Sequence, residues 1–401
     1  MLFPRCEELP AHVAPSLAYD HDVFSVDAYD GDFAAAMFRL RARGAPDLFW
    51  TRYNRGHWVA TSPSLIETVL ISPELFSSRA MRVPKESNPS PPILPLMLDP
   101  PMHIKYRLLL MSAMSPAALK RMTPVVRGLS IELVETLRPQ GGCEFVRDFA
   151  QQMPIAVFLS MLDLPLEDRP QVMAIVDRII RPDVAETRMR GFEDLGRYTM
   201  QKVAERRTNP GDDVISGLLA ARIDDRPLCE AELQGLMSVL MLAGLDTVAG
   251  MLSFIAVFLA RNPAHRRRLI AEPTLIPAAI EEFLRRMAMV NLTREVAVDT
   301  RLGGVMLKAG DLIVLPTALP NLSEERYEHP LEVDFDRRRP RHATFGTGPH
   351  VCMGAALART EIAIFLEEWL ARIPEFAVAP GATLEVRVGA AAMIPALPLV
   401  W

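Results

Sequence analysis

Cysteine is scarce in this chain. Its 401 residues hold four, Cys6, Cys143, Cys229 and Cys352, far apart and with no Cys-x-x-Cys pair. That spacing excludes a paired-thiolate zinc site, a dithiol redox motif and covalent attachment of a c-type heme. It also offers no disulfide framework, so a reducing cytoplasm is the expected compartment. Positive charge is not in excess either: 44 Lys and Arg against 49 Asp and Glu leave a net charge of -5, and no nucleic-acid role is expected. Prolines and charges interrupt Met1 to Asp22, where no signal peptide or N-terminal membrane anchor is expected. What remains, 50% hydrophobic and 23% charged residues, is the composition of a globular protein with a large core.

Against that background stands the segment Phe345-Gly346-Thr347-Gly348-Pro349-His350-Val351-Cys352-Met353-Gly354. Glycines this dense are wasteful in a helix or strand, so they mark a loop with unusual torsions or a close approach to something flat or bulky. A helical period follows through Ala358, Ile362, Phe365, Leu366, Trp369, Leu370 and Ile373, stopping at Pro374. Cys352 therefore stands where a loop enters a helix. Unpaired amides and the positive end of the helix dipole favour a thiolate there, and a thiolate is a soft metal ligand. A structural cysteine beside a Gly-rich turn is the plainer alternative.

The pattern Phe-Gly-x-Gly-x-His-x-Cys-x-Gly resembles the heme-binding loop of the cytochrome P-450 family. The resemblance implies a mainly α-helical P-450 fold with small β sheets, a single domain over residues 1–401, and heme b (iron protoporphyrin IX) as cofactor. Cys352 would be the axial iron ligand, a thiolate that favours cleavage of the oxygen–oxygen bond. Phe345, Gly346, His350 and Gly354 would complete the cradle.

Other stretches follow in the family's order. Gly235 to Ala260 is apolar and long enough to span a bilayer, yet Asp246 near its middle is costly in a membrane, so a helix buried in the protein is expected. Ala243-Gly244-Leu245-Asp246-Thr247 within it is similar to the family's oxygen-binding motif, which gives Ala243 and Gly244 the dioxygen face and Asp246 and Thr247 proton delivery. Read alone, Thr247 would back-bond to its helix and Asp246 would join an ion pair. Glu282 and Arg285 are three apart on one helix face and match the family's Glu-x-x-Arg, with Arg337 as the implied third member. His103, Arg107, Arg294 and His350 match positions that reach the heme propionates, which need cationic donors. As isolated residues His103 and Arg107 would be solvated surface groups. Arg337, Arg338, Arg339 and Arg341 form a basic cluster that suits an acidic electron donor, or is simply solvated.

The remaining expectations are local. They include an irregular arm to about residue 30, a helix over 32–43, a hairpin about Asn54-Arg55-Gly56, a Ser62-capped helix to residue 71, a helical layer over 115–225 and a small β region over 296–315. Seven prolines between Pro84 and Pro101 mark a loop, whose Ile93, Leu94, Leu96, Met97 and Leu98 face either a ligand or the core.

Residues 368–376 and 396–401 resemble the bacterial, soluble, camphor-hydroxylating branch. The implied reaction is a monooxygenase step that inserts one atom of dioxygen into a carbon–hydrogen bond, with electrons from an iron–sulfur ferredoxin and its reductase. That branch places a tyrosine shortly before the Asp99-Pro100-Pro101 stretch to hold a ketone; Pro91 stands here instead. The expected pocket, Pro91, Ile93, Leu96, Leu242 and Val290, suits a small apolar terpenoid-like or norisoprenoid substrate, with camphor a poor fit. A monomer free of membrane is expected. A non-catalytic heme sensor and a membrane-embedded protein are the competing readings.

Overall fold

Local sequence signals set many of the helix boundaries. Asp32 accepts a hydrogen bond from the Ala35 N–H at 3.0 Å, Ser115 from Ala118 at 3.2 Å and Asp213 from Ser216 at 2.9 Å, each satisfying an amide that has no partner inside its helix. Ser62 departs from expectation: its hydroxyl turns to Ser64 at 3.0 Å and caps no backbone amide.

The computed structural model describes residues 3–25, 31–88, 92–180, 185–338 and 341–401. The helices in chain order are α1 (Phe33–Ala42), α2 (Pro63–Ile71), α3 (Met102–Leu110), α4 (Pro116–Leu137), α5 (Gln152–Met161), α6 (Arg169–Ile180), α7 (Ala185–Thr208), α8 (Val214–Ala220), α9 (Glu230–Arg261), α10 (Pro263–Ala271), α11 (Ile276–Arg286), α12 (Ala318–Asn321) and α13 (Ala355–Arg372). The strands are β1 (Leu48–Thr51), β2 (His57–Ala60), β3 (Phe76–Ser77), β4 (Gly142–Glu144), β5 (Arg222–Ile223), β6 (Arg226–Pro227), β7 (Asn291–Val296), β8 (Thr300–Leu302), β9 (Val305–Leu307), β10 (Leu312–Pro316), β11 (Ala377–Val378), β12 (Arg387–Val388), β13 (Ala392–Met393) and β14 (Pro398–Val400). Mainly helical architecture with small sheets results.

The largest sheet runs β1-β2-β10-β7-β3. The β1–β2 hairpin turns through Asn54 and Arg55, both at positive φ. Several strands lie where the sequence pattern misses them, β3, β5 and β6 among them, and two bear on the site. β4 interrupts the expected helical layer because it pairs with β14, Leu399 opposite Cys143. β7 begins at Asn291, so Arg294 sits inside a strand and opposite Ile313 of β10. Both partners are remote in sequence, and periodicity cannot see them.

Helix α9 runs through the core and packs against α5, α7, α10 and α13. Among the described residues it is the one helix long and apolar enough to cross a membrane, but 73% of its most apolar window is buried within the protein. Neighbouring helices cover its faces, as for a core helix. α13 packs on it as well, and Trp369 of α13 meets the rings of Phe145 and Phe149, from the segment before α5, at centre distances of 5.0 and 5.1 Å.

Candidate functional site

Residues 345–354 pass the end of α2 and enter α13. Gly346 and Gly348 have φ of 71° and 73°, a region that L side chains rarely adopt. At Gly348 a Cβ would also stand 2.6 Å from the Leu70 carbonyl oxygen, so torsion and space both demand glycine. The loop closes when the Cys352 N–H donates to the Phe345 carbonyl at 2.9 Å. Cys352 keeps accessible surface, yet the protein packed behind its sulfur pushes the thiol pKa up; the Gly354 amide, Arg107 and Arg359 oppose that only in part. The helix start alone thus does not make the thiolate. A coordinated metal ion would, because it deprotonates a ligating thiol outright.

Behind the loop the sequence's acid–base pair is fully enclosed. Glu282 and Arg285 are 1% and 0% exposed. Arg285 donates to the Glu282 carboxylate at 2.8 and 2.7 Å and to the carbonyls of Asn321, Pro330 and Glu332 at 2.9, 2.8 and 2.8 Å. Arg337 reaches Glu282 at 3.1 Å and the Glu328 carbonyl at 3.1 Å, while Asp334 N–H donates to Glu282 at 3.0 Å.

The neighbouring acid was missed by sequence reading. Glu281 accepts from Arg359 at 2.5 and 2.9 Å and meets His342 at 3.2 Å. These partners hold its pKa down to about 2, Arg359 foremost. The Arg359 guanidinium lies 4.8 Å from the centre of the Phe345 ring and so ties α11 and α13 to the loop. One signal was available: adjacent acids on a helix point about 100° apart and call for two separate cations.

A second cationic group is differently matched. Arg294 is 7% exposed, and its one side-chain hydrogen bond among the described residues goes to the carbonyl of Thr293 at 2.8 Å; burial pushes its pKa down to about 10, with Asp99 the opposing charge. The rings of His103 and His350 are 4.0 Å apart, and His103 Nδ1 and His350 Nε2 are buried without a partner. Burial first, then the cations Arg294, His103 and Arg107, push His350 down to about 3. His103 is lowered by burial and by Arg107, with Asp99 opposing. Arg107 donates to the Val351 carbonyl at 2.7 Å. The group thus holds a buried guanidinium short of acceptors and two unpartnered ring nitrogens, as expected around a polar ligand that carries negative charge.

On α9 a short window opens. Gly244 is exposed and Asp246 and Thr247 are half-buried, between the buried Leu236, Met237 and Met241 on one side and Val248, Met251 and Leu252 on the other. A Cβ at Gly244 would meet nothing within 4 Å. An accessible cysteine, an uncovered helix face and a buried guanidinium without a carboxylate partner fit a planar, metal-bearing, anionic group such as heme.

The proline-rich loop docks on the same helix. Leu94 N–H donates to the Gly235 carbonyl at 3.3 Å, and a Cβ at Gly235 would stand 2.6 Å from the Pro92 oxygen. Ile93, Leu94 and Met97 are buried in the core; Leu96, Leu98 and Val290 are partly buried and pack against it. Pro91 and Arg339 lie outside the described residues, as do the side chains of Leu242 and Ala243.

Comparison with known proteins agrees with this geometry. The family model described as Cytochrome P450 matches residues 158–381. The protein named "Probable cytochrome P450 127A1" of Sinorhizobium fredii is 32% identical over 94% of this chain and 93% of its own. The "Steroid C26-monooxygenase" of Mycobacterium tuberculosis is 30% identical over 87% of this chain and 90% of its own. The crystal structure of CYP101J2 matches with a TM-score of 0.90 at 37% identity, covering 98% of this chain and 99% of that one. That of CYP101C1 gives 0.89 at 35%, covering 98% and 100%.

Proposed function

The chain belongs to the cytochrome P450 family and is a monooxygenase with heme b as cofactor; we propose that it hydroxylates a small apolar terpenoid-like or norisoprenoid substrate, with electrons from an iron–sulfur ferredoxin and its reductase. The observation that carries the reading of the site is the buried Arg294 guanidinium, which has no carboxylate partner, with the unpartnered ring nitrogens of His103 and His350 beside the loop of Cys352. The bound heme supplies the dioxygen-activating iron.

Around it the chain's residues divide the work. The Cys352 sulfur holds the iron, with Phe345, Gly346 and Gly354 shaping the loop. His103, Arg107, Arg294 and His350 hold the propionates through charge-assisted hydrogen bonds. Ala243 and Gly244 face the dioxygen, while Asp246 and Thr247 hold and pass the protons that its reduction consumes. Glu282, Arg285 and Arg337 keep the loop from shifting.

Substrate size and polarity follow from the pocket assignment of Pro91, Ile93, Leu96, Leu242 and Val290, of which none is a phenol or other strong donor. Shape rather than a hydrogen bond would then select the substrate. A single domain over 1–401, a monomeric state and a cytoplasmic location complete the proposal.

Three measurements test it. The reduced, carbon monoxide-bound protein should show the Soret band of thiolate ligation, and Cys352→Ser should abolish it; an unchanged spectrum would sink the iron–sulfur bond at 352. Titration with camphor and with larger cyclic terpenoids, followed through the heme spin state, should give weak binding of camphor and tighter binding of an apolar terpenoid. Tight camphor binding would refute the substrate class. Steady substrate oxidation with a reduced donor separates an oxygenase from a heme sensor.

A further inference from the structure

Helix α9 carries polar groups on a second face, turned about 100° from the row of Gly244 and Thr247. Asp246, Ala249, Gly250 and Ser253 follow one another at helical spacing, so they form one row along the helix. That row borders a cavity of about 10 Å3, whose far wall includes Gln151 and Pro395. Such a volume is room for one water molecule.

Gln151 is the buried group there whose hydrogen bonding is incomplete. It is 5% exposed, and its Oε1 has no partner among the described residues. The side chain reaches the cavity from a single π-helical turn, Val146–Ala150, which the Gln151 N–H closes by donating to the Val146 carbonyl at 2.9 Å. A turn of this kind holds one residue more than an α turn and re-aims the side chain that follows it; such turns concentrate at functional sites. The turn is fixed at its start, where Glu144 accepts from the Val146 and Arg147 amides at 3.3 and 2.8 Å and from the Leu397 amide at 2.7 Å. An apolar side chain would serve packing at position 151 equally well, so a buried carboxamide oxygen without a protein partner is costly unless something else meets it.

The walls identify what meets it. The Gln151 Oε1 and an ionised Asp246 are both acceptors, and a water offers two O–H donors, one for each. Ser253 does not compete, because its hydroxyl proton goes to the Ala249 carbonyl at 2.7 Å.

We propose that Gln151 is a positioning residue for the oxygenase reaction: it holds one water in this cavity, and that water holds the Asp246 carboxylate in the orientation from which protons pass toward Thr247. The inference rests on the monooxygenase reading and adds to it a residue remote in sequence from the acid–alcohol pair. Inserting one oxygen atom into a carbon–hydrogen bond consumes two electrons and two protons and releases the other oxygen atom as water. Gln151 gives up no proton; its contribution is geometric. When the carboxylate is not held, delivery is late, and dioxygen leaves with its two electrons and two protons as hydrogen peroxide.

The test uses the heme-loaded protein with a purified iron–sulfur ferredoxin, its reductase and the cyclic terpenoid that shifts the heme spin state most strongly. Gln151→Leu, of similar volume and without the acceptor, should lower kcat about fivefold. A larger share of the reducing equivalents should appear as peroxide, and the solvent deuterium isotope effect on kcat should rise. The KM for the terpenoid and the carbon monoxide spectrum should stay as in the parent. Gln151→Met, which also lacks the oxygen, should behave alike and serves if the leucine variant does not fold. Gln151→Glu keeps an acceptor at the same reach and should recover most of the lost kcat. Unchanged kcat, peroxide share and isotope effect in the apolar variants overturn the proposal. So does a loss that Gln151→Glu fails to recover, since the residue then acts through packing alone. Failure of the monooxygenase reading shows separately, as a parent without a thiolate-type spectrum or without terpenoid-dependent oxidation of the reduced donor.

Discussion

Two groups of cations border the same ten-residue loop, and they differ in how they are matched. Arg285 and Arg337 converge on the Glu282 carboxylate, and every remaining donor direction described ends on a backbone carbonyl. Arg294 and His103 have Asp99 as their one neighbouring countercharge, and two ring nitrogens of His103 and His350 are buried with no partner. A matched buried charge holds structure, whereas an unmatched one is a binding site for the opposite charge, because leaving it bare costs several kcal/mol. The comparison therefore separates a cation group with its charges matched inside the protein from one open to an anion.

Removing Arg285 should have the largest effect. Arg285→Ala leaves the Glu282 carboxylate buried with its principal partner gone, a loss of about 3–5 kcal/mol, read as a fall in thermal midpoint together with poor heme incorporation. Arg294→Met should behave in the opposite way toward the folded chain. Heme affinity, titrated into the heme-free protein, should drop by about 2–3 kcal/mol as a charged hydrogen bond is lost, while the denaturation midpoint of the heme-free protein does not fall. If both quantities fall together, the two cation groups are not different in kind. Gly348→Ala sharpens the contrast at the loop itself. With φ at 73° and the Leu70 oxygen in the way, it should cost about 1–3 kcal/mol, and the heme-free protein should show the whole loss.

An unmatched acid gives a prediction of a different kind, read as a slope with pH. Glu361 on α13 is 2% exposed with Oε2 unpartnered, and burial pushes its carboxyl up from 4.5 to about 8. Because the folded chain keeps this proton while the unfolded chain releases it, stability should be full below about pH 4.5 and decline as pH rises toward 8, by about 1.4 kcal/mol per pH unit. Glu361→Gln should flatten that slope in denaturant titrations between pH 5 and 8. A parent curve already flat over this range would show that Glu361 has a partner after all.

Several of these residues were legible in the sequence and others were not, for reasons of range. The spacing of Glu282 and Arg285 places them on one face of a helix, and glycine density identifies a strained loop, since both depend on torsions within a few residues. Glu281 and Arg359 meet across 78 positions, and Gly235 touches Pro92 across the core; no local period reports such contacts. The apolar members of the proline-rich loop were ambiguous for the same reason. Ile93, Leu94 and Met97 face inward, a choice made by the groove that Gly235 opens in α9. The thiol of Cys352 teaches the converse: its position at a helix start argues for a lowered pKa, but the surrounding packing raises it.

By itself the sequence determined the kind of protein this is: a helical chain with one deeply buried apolar helix and a Gly-rich cysteine loop whose spacing suits a heme thiolate, because helix period, glycine torsions and ligand chemistry are properties of short segments. Only the tertiary structure decided which cations have a carboxylate partner and which do not, and where Arg294 sits in the sheet. Those outcomes depend on the pairing of residues tens to hundreds of positions apart, and burial and countercharge are fixed only when such residues are brought together.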